Sequence, residues 1–280
     1  MTTRALVLGG GGITGAAWEV GVIAGLAGEG IDLAGADLIV GTSAGAVVGT
    51  GLAAGTDPAK LYEVQLAPPV GELEQRLGFW LTMRWAWIML TSRDAIRVRR
   101  RLGRVALTSR TITLAARRKV IESRFDNYDW PRSPLKITTV DARTGERIVF
   151  DAAGEASLID AITASTATPG VQPPVQIGTR QLTDGGLASS ANADVAAGFD
   201  RVVIIAPGAR GTKAIPSPDR QAAGLSAAGA SVVVITPDRA SGRARGRDVL
   251  DLSRRTAAAQ AGRAQAAADA DRVRAVWAIG

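Results

Sequence analysis

Short apolar runs alternate with longer segments of helical periodicity in the first sixty residues of the chain. The runs at residues 5–8 and 38–40 are typical of buried strands. Residues 15–28 and 44–54 carry apolar side chains three and four positions apart, and each segment ends at glycine. Strand, helix, strand, helix is the order that builds a parallel sheet with helices on its faces. The pattern therefore predicts an α/β fold.

Strand patterns return in the second half of the chain. Residues 135–140 and 147–150 are apolar runs joined by a turn-rich connection, which predicts neighbouring strands of the same sheet. Two further strands are expected at residues 202–205 and 232–235, with one short helix between them. The alanine-rich segment at 248–280 is expected to be a C-terminal helical segment.

Residues 60–125 differ from the rest in their large apolar side chains and predict a helical, cap-like insertion. Three of the six tryptophans lie here, at Trp80, Trp85 and Trp87. Burial in a helical subdomain over the sheet is the commoner fate of such aromatic residues, and it is the interpretation we favour. The alternative is a cap that lines an apolar cleft or contacts a membrane, because tryptophan beside arginine suits an interface.

Composition narrows the possible chemistry. The 280 residues contain no cysteine and no histidine, which excludes disulfides, thiolate nucleophiles and the usual imidazole metal sites. We therefore expect no metal and no cofactor. The N-terminus carries no long apolar signal, and no run reaches the roughly 20 apolar residues of a membrane span, so we expect a cytoplasmic protein.

The formal net charge of +7 is concentrated in one part of the chain. Nine basic residues lie between Arg93 and Arg124, opposed only by Asp94 and Glu122: Arg97, Arg99, Arg100, Arg101, Arg104, Arg110, Arg117, Arg118 and Lys119. Two interpretations are open, a solvated helix face and a peripheral contact with an anionic membrane surface. Nucleic acid is not expected, because no binding motif accompanies the charge.

The strongest local motif is Gly41-Thr42-Ser43-Ala44-Gly45, directly after the second predicted strand. Gly-x-Ser-x-Gly at a strand end is the spacing of a nucleophile elbow, where small neighbours let the serine stand on a strained turn. With no histidine in the chain, Ser43 cannot belong to a Ser-His-Asp triad. Its base must be a carboxylate, a lysine or the N-terminal amine.

A glycine-rich segment, residues 9–15, lies between the first strand and its helix. Backbone N–H groups at such a helix N-terminus stabilise a negative oxygen, either of a phosphate or of a tetrahedral intermediate. Gly10, Gly12 and Gly15 also fit the dinucleotide-binding fingerprint. That interpretation lacks the acidic residue expected at the end of the second strand, where the chain has the Ser43 motif.

The motif Asp184-Gly185-Gly186 follows a short apolar run, which favours a carboxylate at the point where a strand passes into a turn. Alone, Asp-Gly-Gly is more often a turn than a catalytic site. None of the four lysines forms a Ser-x-x-Lys arrangement with Ser43, which disfavours a lysine base. Asp37 is expected at the opposite end of its strand from Ser43.

Together, the glycine segment, the Ser43 elbow and the distant Asp-Gly-Gly resemble the patatin-like phospholipase family. The resemblance covers roughly residues 5–205 and is weakest in the cap. It implies a three-layer αβα fold with a mostly parallel central sheet, a helical cap insertion, and one hydrolase domain over residues 1–280. The chain departs from the family at Thr14, where a basic residue is usual.

The resemblance also implies a function, the cleavage of carboxylic ester bonds of lipids by a Ser43–Asp184 dyad. It assigns the nucleophile elbow to Gly41 and Gly45 and the oxyanion hole to the following residues: Gly10, Gly11, Gly12 and Ala44. The expected partner is a lipid or another ester. Two alternatives stay open, a nucleotide-binding protein that uses the 9–15 loop for phosphate and a patatin-like scaffold without activity.

Overall fold

The structure is a computed structural model that describes residues 2–69 and 75–278. Residues 70–74 of the predicted cap-like insertion and the last two residues of the predicted C-terminal segment lie outside the described residues.

Strands and helices alternate along most of the described chain. The strands are β1 (Arg4–Leu8), β2 (Leu38–Thr42), β3 (Leu135–Asp141), β4 (Arg147–Phe150), β5 (Val175–Ile177), β6 (Arg180–Asp184), β7 (Arg201–Ile205) and β8 (Ser231–Ile235). The α-helices are α1 (Gly12–Gly28), α2 (Ala44–Ala53), α3 (Pro58–Leu66), α4 (Phe79–Leu90), α5 (Ala95–Thr108), α6 (Leu114–Glu122), α7 (Leu158–Ser165), α8 (Pro218–Ala227), α9 (Arg239–Arg245) and α10 (Arg255–Trp277).

One mixed sheet runs through the molecule in the order β5-β6-β3-β2-β1-β7-β8, with β4 also paired to β3. The central pairs β3–β2, β2–β1, β1–β7 and β7–β8 are parallel, whereas β4, β5 and β6 join antiparallel. The predicted α/β class and the mostly parallel sheet are confirmed. The predicted pairing of the strands at 135–140 and 147–150 is confirmed too, as an antiparallel pair.

Helices cover both faces of the sheet, and β1 therefore buries side chains on both sides. Leu6 and Leu8 belong to the larger core, with α1, α2, α7 and α10. Ala5 and Val7 point to the opposite face, as alternate strand residues must, and pack with α8. The result is a three-layer αβα arrangement.

The C-terminal helix α10 packs tightly on α1. A Cβ placed on Gly21 would lie 2.0 Å from the Ala259 carbonyl oxygen, so only glycine permits this approach. The Trp18 indole N–H donates to Gln265 Oε1 at 3.2 Å within the same contact. α10 is therefore part of one helical layer and not an appendage.

Four helices, α3 to α6, occupy the described part of residues 60–125, as the helical pattern predicts. The favoured burial of the tryptophans in this region is wrong for two of three. Trp80 is 82% exposed and Trp87 is 61% exposed, while Trp85 is half-buried. Only one face of α4 packs, through Ile88, against Val98 and Leu102 of α5, so the other face is left uncovered.

Candidate active site

Ser43 lies at a sharp turn between β2 and α2. Its backbone has φ 53° and ψ −114°, a conformation that a non-glycine residue adopts only under strain. The flanking glycines allow the turn, since a Cβ on Gly41 would lie 2.6 Å from Ala46 Cα and one on Gly45 would lie 2.2 Å from Leu8 O. This geometry is that of a nucleophile elbow.

Ser165, at the end of α7, holds the strained backbone of Ser43 in place. The Ser43 N–H donates to Ser165 Oγ at 2.8 Å, and the Ser165 hydroxyl donates to the Thr138 carbonyl at 2.7 Å. All three residues are buried. These two hydrogen bonds connect the Ser43 turn to strand β3 through the Ser165 hydroxyl.

The structure brings Ser43 and Asp184 together. The Ser43 hydroxyl donates to Asp184 Oδ2 at 2.8 Å, and both side chains are buried. The two residues lie close together because β2 and β6 both pair with β3. Thr42, just before Ser43, lies opposite Thr138, and Asp184 lies opposite Thr139. Consecutive residues of one strand therefore position the Ser43 and Asp184 side chains.

The Asp184 carboxylate accepts three hydrogen bonds. Its Oδ1 accepts from the Gly186 N–H at 2.8 Å, and its Oδ2 accepts from the Thr168 hydroxyl at 3.3 Å as well as from Ser43. Burial is the largest influence on this group and raises the pKa of Asp184 to about 6. The hydrogen bonds and the nearby positive charge of Arg117 act in the opposite direction on that pKa.

The glycine loop lies directly against Ser43. A Cβ on Gly10 would lie 3.3 Å from Ser43 Cβ, and a Cβ on Gly11 would lie 2.4 Å from Pro207 Cβ. The Gly10 N–H already donates to the Ser190 carbonyl at 2.7 Å. Gly10 was expected to be an oxyanion donor, but its N–H already has this acceptor. Gly10 therefore contributes to the shape of the loop.

Two helix N-termini meet beside Ser43. α1 begins at Gly12 and α2 begins at Ala44, and both residues line one cleft with Ser43. The first N–H groups of a helix have no intrahelical acceptor, and the helix dipole makes that end positive. Gly11 caps α1. The arrangement can stabilise a negative oxygen near Ser43.

A basic side chain reaches the glycine loop from α9, whereas Thr14 of the loop itself is uncharged. Arg245 lies with Nη2 3.6 Å from a Cβ placed on Gly15, and its Nη1 donates to the Pro207 carbonyl at 2.7 Å. Burial raises the pKa of the neighbouring Glu19 well above its usual range, and the charge of Arg245 opposes that rise. A buried acid and base thus lie behind the loop.

The cleft in front of Ser43 is lined by both apolar and polar residues. Ile13, Ala16, Val47 and Leu250 form the apolar lining; Gln75, Arg117, Arg124, Thr166, Thr168 and Gln172 form the polar one. Arg117 is buried and donates to the Thr166 hydroxyl at 2.9 Å. Within residues 2–69 and 75–278, no three acidic side chains lie close enough to form a metal site.

Asn192 is a structural residue of the site to which the sequence assigned no role. It adopts a left-handed backbone conformation with φ 53°, which asparagine tolerates better than most residues. Its side-chain amide donates to Thr42 Oγ1 at 3.1 Å and to the carbonyl oxygens of Gly185 and Ser189 at 3.1 and 2.9 Å. It thereby connects the turn after Asp184 to the strand before Ser43.

Comparison with known proteins agrees with this architecture. The patatin-like phospholipase family matches residues 6–197, more than half of the chain. The chain belongs to the patatin-like phospholipase family, whose members hydrolyse lipid esters. No curated protein matches it.

Two solved structures match this chain at low identity. VipD from Legionella pneumophila has 13% identity and a TM-score of 0.37, with 66% of this chain and 46% of that chain covered. The type III effector protein ExoU has 15% identity and a TM-score of 0.43, with 97% of this chain and 53% of that chain covered. The chain spans about half the length of each.

Proposed function

We propose that this chain is a serine acyl hydrolase that cleaves carboxylic ester bonds of lipids, of the phospholipase A, lysophospholipase or lipid esterase type. One observation carries the proposal, the 2.8 Å hydrogen bond between the Ser43 hydroxyl and the Asp184 carboxylate in a buried setting. The family of the chain supports the same chemistry.

In the first half-reaction, Asp184 accepts the hydroxyl proton while Ser43 Oγ forms a bond to the ester carbonyl carbon. The carbonyl oxygen becomes an oxyanion and is met by the N–H groups of Gly11, Gly12 and Ala44. The tetrahedral intermediate then collapses, the carbon–oxygen bond to the alcohol breaks, and Asp184 returns the proton to the leaving oxygen. An acyl ester on Ser43 remains.

In the second half-reaction, water replaces the alcohol. Asp184 takes a proton from the water as its oxygen attacks the acyl carbon, and the same N–H groups stabilise the second oxyanion. Collapse breaks the bond to Ser43 Oγ, which recovers the proton from Asp184. The carboxylic acid leaves and the dyad is restored.

Two features compensate for the weakness of a carboxylate as a base towards an alcohol. A pKa of about 6 makes Asp184 a stronger base than an ordinary aspartate. Each oxyanion donor contributes about 3 kcal/mol to the stabilisation of the developing charge. The strained, fixed backbone of Ser43 also removes the need to orient the nucleophile during reaction.

A fluorophosphonate probe and a p-nitrophenyl ester test the proposal. We expect the wild-type chain to be labelled and to hydrolyse the ester, and Ser43→Ala and Asp184→Asn to lose both properties. Ser226→Ala changes an exposed serine of α8 and is the matched control. Ser43→Ala hydrolysing at the wild-type rate would refute the dyad. Stabilisation by NAD or FAD without labelling would favour nucleotide binding. If the chain is neither labelled nor stabilised by these nucleotides, an inactive scaffold is favoured.

A further inference from the structure

One face of α4 is apolar and open to solvent. Its side chains are large and their exposed fractions are high: Phe79 66%, Trp80 82%, Met83 44%, Trp87 61% and Leu90 84%. From Trp80 onward they are spaced by three, four and three residues, which places them on one stripe of the helix. An uncovered stripe of this size and composition indicates a surface that contacts something apolar.

α4 is too short to cross a bilayer. Its 12 residues span about 18 Å, against a hydrocarbon core of about 30 Å. Among the helices within residues 2–69 and 75–278, none is long and apolar enough to span a membrane. A short helix with one uncovered apolar face suits the plane of an interface, with its apolar side chains among the outer parts of the acyl chains.

A basic stripe on α5 runs beside the apolar stripe. Arg97, Arg101 and Arg104 lie four and three residues apart and so share one face of the helix. The Arg101 guanidinium lies 4.5 Å from the ring centre of Trp87, and its Nη1 donates to the Thr91 hydroxyl at 2.8 Å. The two stripes are therefore in direct contact.

The charge of this surface is strongly positive. α5 contains five arginines and no acidic residue. The acid just before it, Asp94, accepts from the Arg97 backbone N–H at 3.0 Å as the helix cap. Arg84 and Arg93 add two exposed positive charges at α4 and the turn that follows it. Anionic head groups above acyl chains complement both the charge and the apolar stripe.

The surface lies at the rim of the catalytic cleft. Leu81, in the first turn of α4, lies 2.8 Å from a Cβ placed on Gly170, two residues after Thr168. Gln75, four residues before α4, lines the cleft and accepts a 2.6 Å hydrogen bond from the Gln172 side chain. A lipid surface lying on α4 would therefore be next to the cleft entrance.

We propose that α4 and α5 form a docking surface for an anionic lipid bilayer, with the α4 stripe in the interface and the α5 arginines on the head groups. Binding stands independently of the proposed hydrolase activity; only the delivery of lipid to Ser43 rests on that function. A second copy of the chain is a poorer occupant. A two-fold contact through this face would bring Arg97, Arg101 and Arg104 towards their own counterparts.

Co-sedimentation with vesicles tests the proposal. We expect the wild-type chain to bind vesicles that contain phosphatidylglycerol, to bind pure phosphatidylcholine vesicles much less, and to lose affinity as salt rises. Trp80→Ala with Trp87→Ala should weaken binding at least about tenfold. Arg97→Gln with Arg104→Gln should weaken it about 30-fold. All four side chains are substantially exposed, so folding should be preserved.

Arg239→Gln with Arg243→Gln is the matched control, because it removes the same charge from exposed positions of α9. It should bind like the wild type, and an equal loss in this control would overturn the proposal. The proposal would also be overturned if the wild-type chain did not bind anionic vesicles. It would equally be overturned if sedimentation showed a wild-type dimer and the tryptophan variant were a monomer. Hydrolysis of a soluble p-nitrophenyl ester should be unchanged in all three variants. If that ester is never cleaved while vesicle binding persists, the hydrolase proposal fails and the docking surface stands.

Discussion

Asp184 accepts a 2.8 Å hydrogen bond from Ser43 across 141 positions of the sequence. The two residues meet because β3 pairs with β2 through Thr138 and with β6 through Thr139. Ser43 follows β2 and Asp184 ends β6, and β3 fixes the position of both strands. Nothing in this arrangement depends on a loop that must close, so we infer that the dyad is formed before substrate arrives.

The pH dependence of activity should report the protonation of Asp184. Because the proposed base must be ionised and its pKa is about 6, kcat/KM for a neutral soluble ester should rise about tenfold per pH unit below 6 and level off above it. Thr168→Val removes a hydrogen bond to the charged carboxylate, a change that raises the pKa of Asp184 further. The profile of this variant should therefore move to higher pH. A shift to lower pH would contradict the assignment.

The same pKa predicts how stability varies with pH. Asp184 titrates near 3.8 when unfolded and about 6 when folded, so the folded state holds its proton more tightly. Stability from this group is fully present below about pH 4 and is lost as pH rises through 6, by about 3 kcal/mol. Asp184→Asn does not ionise. Its melting temperature relative to wild type should therefore be higher at pH 8 than at pH 4.

Asp271→Asn is the control for that measurement, since Asp271 is almost fully exposed. Its difference in melting temperature from wild type should not follow the same pH course. A constant difference in melting temperature between Asp184→Asn and wild type across pH 4–8 would show that ionisation of the Asp184 carboxylate does not destabilise the folded state. Asparagine retains an oxygen to accept the Gly186 N–H, which keeps the variant close to the native structure.

The sequence predicted those parts of the fold and site that depend on local pattern. The runs around Leu6 and Ile39 are apolar on both faces because helices cover both faces, and the glycines beside Ser43 are needed by the turn itself. β5 was missed, and β6 was indicated only by the short apolar run before Asp184, because three and five residues with polar members give no clear period. Their strand state comes from antiparallel pairing, β6 with β3 and β5 with β6, a tertiary effect.

The exposure of Trp80 and the role of Ser165 could not come from the sequence. α4 is apolar on nearly all sides, and the packing of Ile88, with Leu81, Trp85 and Met89 around it, decides which side is covered. Ser165 ends a helix far from Ser43 along the chain, and its hydrogen bond to the Ser43 N–H exists only after both strands and α7 are assembled. Residue type alone does not distinguish it from other small helix-end residues.

Ser165→Ala should impair the orientation of the nucleophile. The Ser43 N–H would lose its buried acceptor, which costs about 1–3 kcal/mol in the free energy of unfolding. Ser43 would also be held less firmly, so kcat and the rate of fluorophosphonate labelling should fall about tenfold or more with little change in KM. Ser226→Ala should alter none of these. A loss of stability with normal labelling would limit Ser165 to a structural role.

Gly45→Ala should be severely destabilising, whereas Gly28→Ala should not. A methyl group on Gly45 would lie 2.2 Å from the backbone oxygen of Leu8, in the central strand, where the sheet cannot yield. We expect a loss of about 3 kcal/mol or more in the free energy of unfolding, measured by urea denaturation. Gly28 ends α1 with no atom within 4 Å of an added Cβ, so alanine should stabilise the helix by up to about 1 kcal/mol. Equal effects at the two positions would contradict the close contact between α2 and β1 on which the Ser43 turn depends.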